Sequence, residues 1–359
     1  MDTQQRYLDK YNQLGGNLIW TEHMSNIDLT WTSVASSADG IKLVAVTSSG
    51  YIYTSVDSGV NWTLRNHDVD RFWLSVASSA DGTKLVTACE DSIYTSTDSG
   101  ENWTLRLHRK FVEGARVTSS ADGIKLVAVI FNGGNYNSVD SGVNWIEYGG
   151  FRQYNSVTSS SDGNKVVTTD DGDFIHTSVN SGVNWTIRYS LGGHNWTSVA
   201  SSADGSKIIA TAKNDYIYTS TDSGENWTSG NIARSWTSVA SSADGSKLVA
   251  TAENDYIYTS TDSGKNWTSG NIARSWTSVA SSADGSKLVA VASSGQIYTA
   301  NIIPTDPKVT KDPSLISIKI MHALMNNQQS DAFILRDYKQ KYLKYKQKYI
   351  KLKENFFLN

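Results

Sequence analysis

The sequence is poor in cysteine and has no long apolar run. Cys89 is the only cysteine among the 359 residues, so an intrachain disulfide cannot form and a cysteine-based zinc site is excluded. No apolar run is long enough to cross a bilayer, and the first twenty residues lack the apolar core of a secretory signal. These absences predict a soluble main body that is not secreted and does not depend on an oxidising compartment.

Proline is also scarce, and its positions mark a boundary. Pro304, Pro307 and Pro313 are the only prolines and fall within ten residues, which predicts a stiff linker over 301–313. The distribution of charge also changes after these prolines. Residues 330–359 carry eight positive and three negative side chains, although the whole chain has a net charge of −3. We therefore expect an acidic main body and a separate basic tail.

The main body is built from an internal repeat. The tetrapeptide SADG, once SSDG, occurs seven times at spacings of 40–42 residues. Each full repeat contains four runs rich in β-branched and aromatic residues, separated by turns with Asp, Asn and Gly. This length and pattern are typical of one blade of a β-propeller. The sequence predicts an all-β fold, a seven-bladed β-propeller of four-stranded antiparallel blades over 14–300.

A second motif, S-x-D-x-G-x-N-W, follows the third run in six of the repeats. It resembles the Asp-box (BNR repeat) of sialidase-type and photosystem II assembly-factor-type propellers, in which it closes the turn between the third and fourth strands of a blade. The resemblance covers about residues 14–300. It implies a structural role for the acidic position of the motif, which is occupied by Asp57, Asp98, Asp140, Asn180, Asp222 and Asp262.

The seventh repeat ends early and has neither this motif nor a fourth strand. The segment GGNLIWTEH near the N-terminus resembles SGVNWTLRN, which forms the end of the first repeat. We therefore expect residues 17–23 to complete the seventh blade and remove its exposed edge. Residues 1–13 are then an N-terminal extension.

Arginine is concentrated at one class of position. Nine of the eleven arginines lie in or beside the connections between repeats, whereas a lysine follows every SADG turn. A guanidinium pairs well with carboxylates and phosphates, so this end is predicted to bind an acidic protein or another anionic ligand. The alternative is that these arginines only occupy long loops and that the aromatic residues nearby fill gaps between blades. The candidate binding residues are Arg65, Arg71, Arg106, Arg109, Arg116, Arg152, Arg188, Trp31, Trp73, Tyr154 and Trp196.

Two classes of function fit these features. The first is a non-catalytic binding scaffold, because near-identical repeats present a repeated surface rather than unlike catalytic residues; no cofactor or metal is implied. The second is a carbohydrate-active enzyme, which would need two opposed carboxylates. Sialidase activity is not expected, because the F-R-I-P-type motif of sialidases is absent. The candidate carboxylates are Asp68, Asp70, Glu113 and Glu147.

The tail has its own pattern. From Leu335 to Phe356 apolar residues recur at alternating steps of three and four, which predicts a basic, tyrosine- and lysine-rich helix over 330–359. Homo-oligomerisation through residues 335–356, binding to an anionic surface and a solvated helix all remain open, and residues 314–329 are unassigned. The tail resembles C-terminal segments of proteins from giant DNA viruses of the mimivirus kind, which suggests an origin. The missing secretory signal and the single cysteine favour a cytoplasmic or virion-associated location over a secreted one.

Overall fold

The computed structural model describes residues 18–24, 29–67, 71–109, 114–171, 174–188 and 193–302. Within these ranges every regular element is a β-strand, so the all-β class is confirmed there. The last strand reaches Ile302 and so includes the first two residues of the predicted linker. The predicted extension over 1–13, the unassigned residues 314–329 and the predicted helix over 330–359 lie outside the described residues.

The strands of the described residues are short, apart from two long ones. They are β1 (Leu18–His23), β2 (Trp31–Ser36), β3 (Leu43–Thr47), β4 (Tyr51–Ser55), β5 (Thr63–His67), β6 (Trp73–Ser78), β7 (Leu85–Cys89), β8 (Ser92–Ser96), β9 (Thr104–His108), β10 (Ala115–Ser119), β11 (Leu126–Ser138), β12 (Ile146–Ser159), β13 (Val166–Asp170), β14 (Ile175–Ser178), β15 (Thr186–Arg188), β16 (Trp196–Ser201), β17 (Ile208–Ala212), β18 (Ile217–Ser220), β19 (Thr228–Ser229), β20 (Trp236–Ser241), β21 (Leu248–Ala252), β22 (Ile257–Ser260), β23 (Thr268–Ser269), β24 (Trp276–Ser281), β25 (Lys287–Ala292) and β26 (Ile297–Ile302).

These strands pair with their neighbours in sequence. Four sheets have the orders β2-β3-β4-β5, β6-β7-β8-β9, β16-β17-β18-β19 and β20-β21-β22-β23, and a fifth has the order β1-β26-β25-β24. The sixth sheet contains β10 to β15 in order, because β11 and β12 each run through what are two separate strands in the other repeats. Pairing is antiparallel, with Ser33 opposite Val46 in β2 and β3, for example. Several four-stranded antiparallel sheets are therefore present, as the repeat predicts.

The hydrophobic core lies between adjacent sheets. Every residue of β3 is buried, and the same holds for the second strand of other repeats, such as β7 and β17. In one cluster Val44 and Ile52 of the first repeat pack with Trp73 and Val76 of the second. A strand that is apolar on both faces thus finds a neighbouring sheet on each side.

Within residues 23–299 the first strands of successive repeats pack against one another. β2 packs on β6, and the series continues through β10, β12, β16 and β20 to β24, which packs on β2 again. Backbone hydrogen bonds of 2.7–2.8 Å follow the same cycle at the SADG turns. In each turn the amide of one residue donates to the carbonyl oxygen of its counterpart in the next repeat. The series is Ala38, Ala80, Ala121, Ser161, Ala203, Ala243 and Ala283, and the Ala283 amide donates to the carbonyl oxygen of Ala38.

The S-x-D-x-G-x-N-W motif forms the turn between the third and fourth strands of a repeat. In the first repeat Asp57 accepts hydrogen bonds from the Asn61 backbone at 2.9 Å and from the Asn61 side chain at 2.7 Å. The Ser55 hydroxyl donates to the same carboxylate at 2.8 Å. Trp62 donates from Nε1 to the carbonyl oxygen of Gly59 at 3.0 Å, so the indole is fixed to its own turn.

These hydrogen bonds favour the charged form of the carboxylate. Backbone and side-chain donors of Asn102 lower the pKa of Asp98 to about 2. In the fourth repeat Asn180 takes this position and accepts the Asn184 amide at 2.8 Å without a negative charge. A neutral amide can therefore form part of the same turn.

Candidate binding surface

The arginines predicted to bind a partner occupy several positions of the repeat, and two of these positions recur. Three of them lie in the outermost strands, at the edge farthest from the first strands. Each donates from Nε to a threonine hydroxyl of the neighbouring strand, at 2.8–3.1 Å. These pairs are Arg65 with Thr54, Arg106 with Thr95, and Arg188 with Thr177.

The second position is two residues before the first strand of a repeat. Arg71 lies there, with its guanidinium 5.0 Å from the centre of the Tyr94 ring and 3.7 Å from a carboxylate oxygen of Asp91. Arg234 repeats the arrangement, at 3.0 Å from Asp255, and donates to the Tyr258 hydroxyl at 3.1 Å. The repeat therefore builds a cluster of a cation, a tyrosine and an aspartate, which we call the cation–tyrosine cluster.

Arg274 forms a version of the cation–tyrosine cluster without the acid. Its Nε donates to the Tyr298 hydroxyl at 3.1 Å. Gly295 stands where the other clusters have an aspartate, three residues before the tyrosine, and the side-chain oxygen of Gln296 accepts from the Tyr298 hydroxyl at 3.5 Å. Within the described part of the chain, no ion pair of Arg274 is present.

His194 replaces the arginine in the fifth repeat. Its Nδ1 lies 2.5 Å from Oδ2 of Asp215, and the Tyr218 hydroxyl donates to Oδ1 of the same carboxylate at 3.2 Å. Burial and the negative charge of Asp215 raise the pKa of Tyr218 to about 12. The tyrosine therefore remains a neutral donor across the physiological range.

The fourth repeat contains a buried charged group. His176, at the position that tyrosine has in the other repeats, lies with Nε2 2.6 Å from Oδ2 of Asp170, and both side chains are buried. Burial raises the pKa of Asp170, but the hydrogen bonds from His176 and from the Phe174 amide outweigh it and lower the pKa overall. Arg152, which is partly exposed, approaches the same carboxylate at 3.9 Å.

Arg109 is the most exposed of these arginines that form ion pairs. Its side chain is 58 % exposed, and Nη1 lies 3.4 Å from Oε2 of Glu147. The guanidinium is 5.7 Å from the ring centre of Tyr136. Glu147, a candidate carboxylate for the enzyme hypothesis, is thus ion-paired. The other three candidates, Asp68, Asp70 and Glu113, lie outside the described residues.

The aromatic residues proposed beside the arginines are buried. Trp31 and Trp73 have no exposed surface, Trp196 is 1 % exposed and Tyr154 is 3 % exposed. Each tryptophan packs edge-on against a tyrosine of its own repeat, as Trp73 does on Tyr94 at 5.4 Å. Their burial corrects the expectation of an exposed aromatic surface, because these rings fill the space between sheets. Among the candidate arginines Arg109 is exposed, and the others are partly exposed, namely Arg65, Arg71, Arg106, Arg116, Arg152 and Arg188.

Sequence reasoning did not find the tyrosine partners or the cavity between the first strands. The partner tyrosines recur as the second tyrosine of the YIYTS segments, and this repetition could have indicated them. The cavity has a volume of about 370 Å³ and is lined by the repeated V-A-S-S-A segments, with only Val, Ala, Ser and Thr at its wall. Its wall therefore carries no charge.

Two further properties concern the described residues only. They include no group of three or more His, Cys, Asp and Glu side chains placed to hold a metal ion. No helix long and apolar enough to cross a membrane occurs among them.

Comparison with known proteins shows similarity in fold. No protein-family model matches the sequence, and neither does any curated protein. The structure is similar to YCF48 from Cyanidioschyzon merolae, with a TM-score of 0.63 and 16% identity, covering 79% of this chain and 98% of that one. A structure of YCF48 bound to D1 peptide has a TM-score of 0.62 at 14% identity, covering 80% and 98%.

A third similar structure is the β-propeller domain of Cps50 (Swd1) from Myceliophteria thermophila. Its TM-score is 0.62 at 12% identity, and the match covers 79% of this chain and all of that domain. At these identities the likeness shows the fold alone. The main body is therefore a β-propeller.

Proposed function

We propose that this protein is a non-catalytic binding scaffold, a seven-bladed β-propeller that binds an acidic protein segment at the end where its repeats are connected. The cycle of first strands from β2 to β24 supports seven blades. The order β1-β26-β25-β24 supports completion of the seventh blade by residues 17–23. The S-x-D-x-G-x-N-W turns support an Asp-box propeller.

The observation that carries the proposal is the exposure of arginines at the connections. Arg109 is 58 %, Arg234 44 % and Arg152 40 % exposed, although each lies near a carboxylate. Exposed ion pairs contribute little, about 0–1 kcal/mol, so a partner carboxylate can replace the internal one at small cost. Arg106, Arg188 and Arg274 have no described carboxylate partner and leave net positive charge available.

The orientation of these arginines also favours recognition. Arg106 and Arg188 use Nε for a threonine, which leaves the two Nη groups of the guanidinium for a ligand. A guanidinium fixed in this way loses less rotamer entropy on binding. The similar structure of YCF48 bound to D1 peptide supports peptide binding by a propeller of this kind.

Binding of a glutamate-rich peptide to the full-length chain tests the proposal. The variant Arg109→Gln with Arg152→Gln should bind the peptide at least tenfold more weakly, because two exposed charges are lost. Lys125→Gln with Lys265→Gln removes the same charge from two turns, Lys125 following a SADG turn and Lys265 lying in an S-x-D-x-G-x-N-W turn, and should bind as the unaltered protein does. At position 152 we choose glutamine rather than glutamate, because a glutamate there would place a second carboxylate beside Asp170. Equal affinities for both double variants would contradict the proposal.

We further propose that the tail attaches the scaffold to itself or to an anionic surface through residues 335–356. The steps of three and four from Leu335 would form one apolar stripe on a helix. Tyr342→Glu with Tyr349→Glu should abolish either interaction, measured by sedimentation and by binding to anionic vesicles. Unchanged mass and unchanged vesicle binding would contradict this role.

A further inference from the structure

The first strands are joined by a hydroxyl–amide hydrogen bond that one repeat lacks. In six places a serine hydroxyl accepts the backbone amide of a valine in the next first strand, at 3.1–3.2 Å. The bonds run from Val76 to Ser33, Val117 to Ser75, Val199 to Ser156, Val239 to Ser198, Val279 to Ser238 and Val34 to Ser278.

Arg116 occupies the seventh serine position. It lies opposite Val129 in β10 and β11, as Ser33 lies opposite Val46 in β2 and β3. Between the Trp, Tyr or Gly that opens each first strand and the SADG or SSDG turn, it is the only charged residue in the seven repeats. The register therefore places one positive charge where six other repeats have a small hydroxyl.

The charge of Arg116 has no internal carboxylate among the described residues. Its Nη1 lies 3.4 Å from the carbonyl oxygen of Ala115, and no ion pair of this guanidinium is present in the described ranges. Burial lowers the pKa of Arg116 from its ordinary value. A guanidinium stays protonated in proteins, so Arg116 keeps a partly exposed positive charge that no described carboxylate neutralises.

The neighbouring strand offers a second donor. Val157 is the counterpart, in the fourth repeat, of the six valines that donate to a serine. Its amide would face a serine at position 116, and among the described first strands it is the one valine amide of this set that donates to no serine hydroxyl. Val157 is half-buried, whereas its six counterparts are at most 6 % exposed. The side chain of Val157 is therefore less covered than its counterparts, in the strand that packs on the one carrying Arg116.

We propose that Arg116 and the amide of Val157 bind a small oxyanion, a carboxylate or a phosphate, beside the cavity between the first strands. A guanidinium fork and a backbone amide are complementary to such an oxyanion. Val117 and Val157 line the cavity, and its wall is neutral, so no internal charge competes. The site is independent of the exposed arginines, and its oxyanion is either a free anion or an acidic group of the proposed partner.

Arg116→Ser tests the site because it restores the serine of the other repeats. In the absence of phosphate this variant should melt at a higher temperature than the unaltered full-length protein, since a cation without a described carboxylate partner is removed and the seventh hydroxyl–amide bond can form. Phosphate at constant ionic strength should stabilise the unaltered protein and bind the variant at least tenfold more weakly. Lys265→Ser, which removes one exposed charge elsewhere, should keep the phosphate response.

Titrations with acetate, phosphate and the glutamate-rich peptide distinguish the source of the oxyanion. Loss of free-anion binding in Arg116→Ser identifies a free-anion site, and loss of peptide binding alone identifies a contact with the partner. Either result supports the oxyanion site. Phosphate, acetate and peptide affinities that are all equal in Arg116→Ser and the unaltered protein would overturn it. If peptide binding depends on Arg109 and Arg152 while both peptide and free-anion binding are independent of Arg116, only the proposed function is left standing.

Discussion

Gly82 lies in a tight contact between repeats, so a side chain there should be costly. Its φ is +66°, and an added Cβ would lie 2.8 Å from Cβ of Lys42 and 3.1 Å from Cβ of Ser37. Both neighbouring atoms are fixed to the backbone, so they cannot rotate away. We expect Gly82→Ala to lower the free energy of unfolding by about 1–2 kcal/mol for the left-handed backbone and about 1–3 kcal/mol for the overlap.

Gly193→Ala is a matched control for the backbone cost. Gly193 has a φ of +89°, and nothing lies within 4 Å of an added Cβ. The left-handed conformation and the stiffer unfolded chain are common to both variants. The difference between Gly82→Ala and Gly193→Ala therefore isolates the overlap, and we expect it to be about 1–3 kcal/mol.

Urea unfolding followed by tryptophan fluorescence measures this difference. If both variants unfold at the same midpoint with the same slope, Lys42 moves freely and the inferred tight packing of repeats at the SADG turns is wrong. A larger loss for Gly82→Ala at unchanged slope supports it.

Three further predictions concern the turns and the ends of the chain. Hydrogen bonds lower the pKa values of Asp81 and Asp98 to about 2. Their contribution to the stability of the fold should therefore be complete above the unfolded pKa of about 3.9 and should be lost as the pH falls toward 2. A melting temperature that stays constant from pH 5 to 2 would refute this. Asp98→Asn should melt closer to the unaltered protein than Asp98→Ala, because Asn180 already serves in the same turn. Deleting residues 1–24 should cause aggregation or a large loss in melting temperature, whereas deleting 302–359 should not; the reverse order would refute the domain boundary.

Much of the fold could be predicted because its signals are local. The Asp57 turn is completed by Ser55 and Asn61 within a few residues, and such hydrogen bonds are readable from sequence. The candidate site was harder to predict from the sequence. Arg71 and Trp73 are two residues apart, yet the guanidinium is partly exposed and the indole is fully buried. The difference arises because Arg71 precedes β6, whereas Trp73 opens that strand and packs against the neighbouring sheet.

The sequence by itself determined the all-β class, the seven repeats and the turn chemistry, because each depends on residue types within about 40 positions. Only the tertiary structure decided that β11 and β12 join two repeats in one sheet. It alone placed Arg116 at the register position where other repeats bond a serine to the next repeat's valine amide. Contacts between repeats depend on the register and packing of whole strands, which no local pattern specifies.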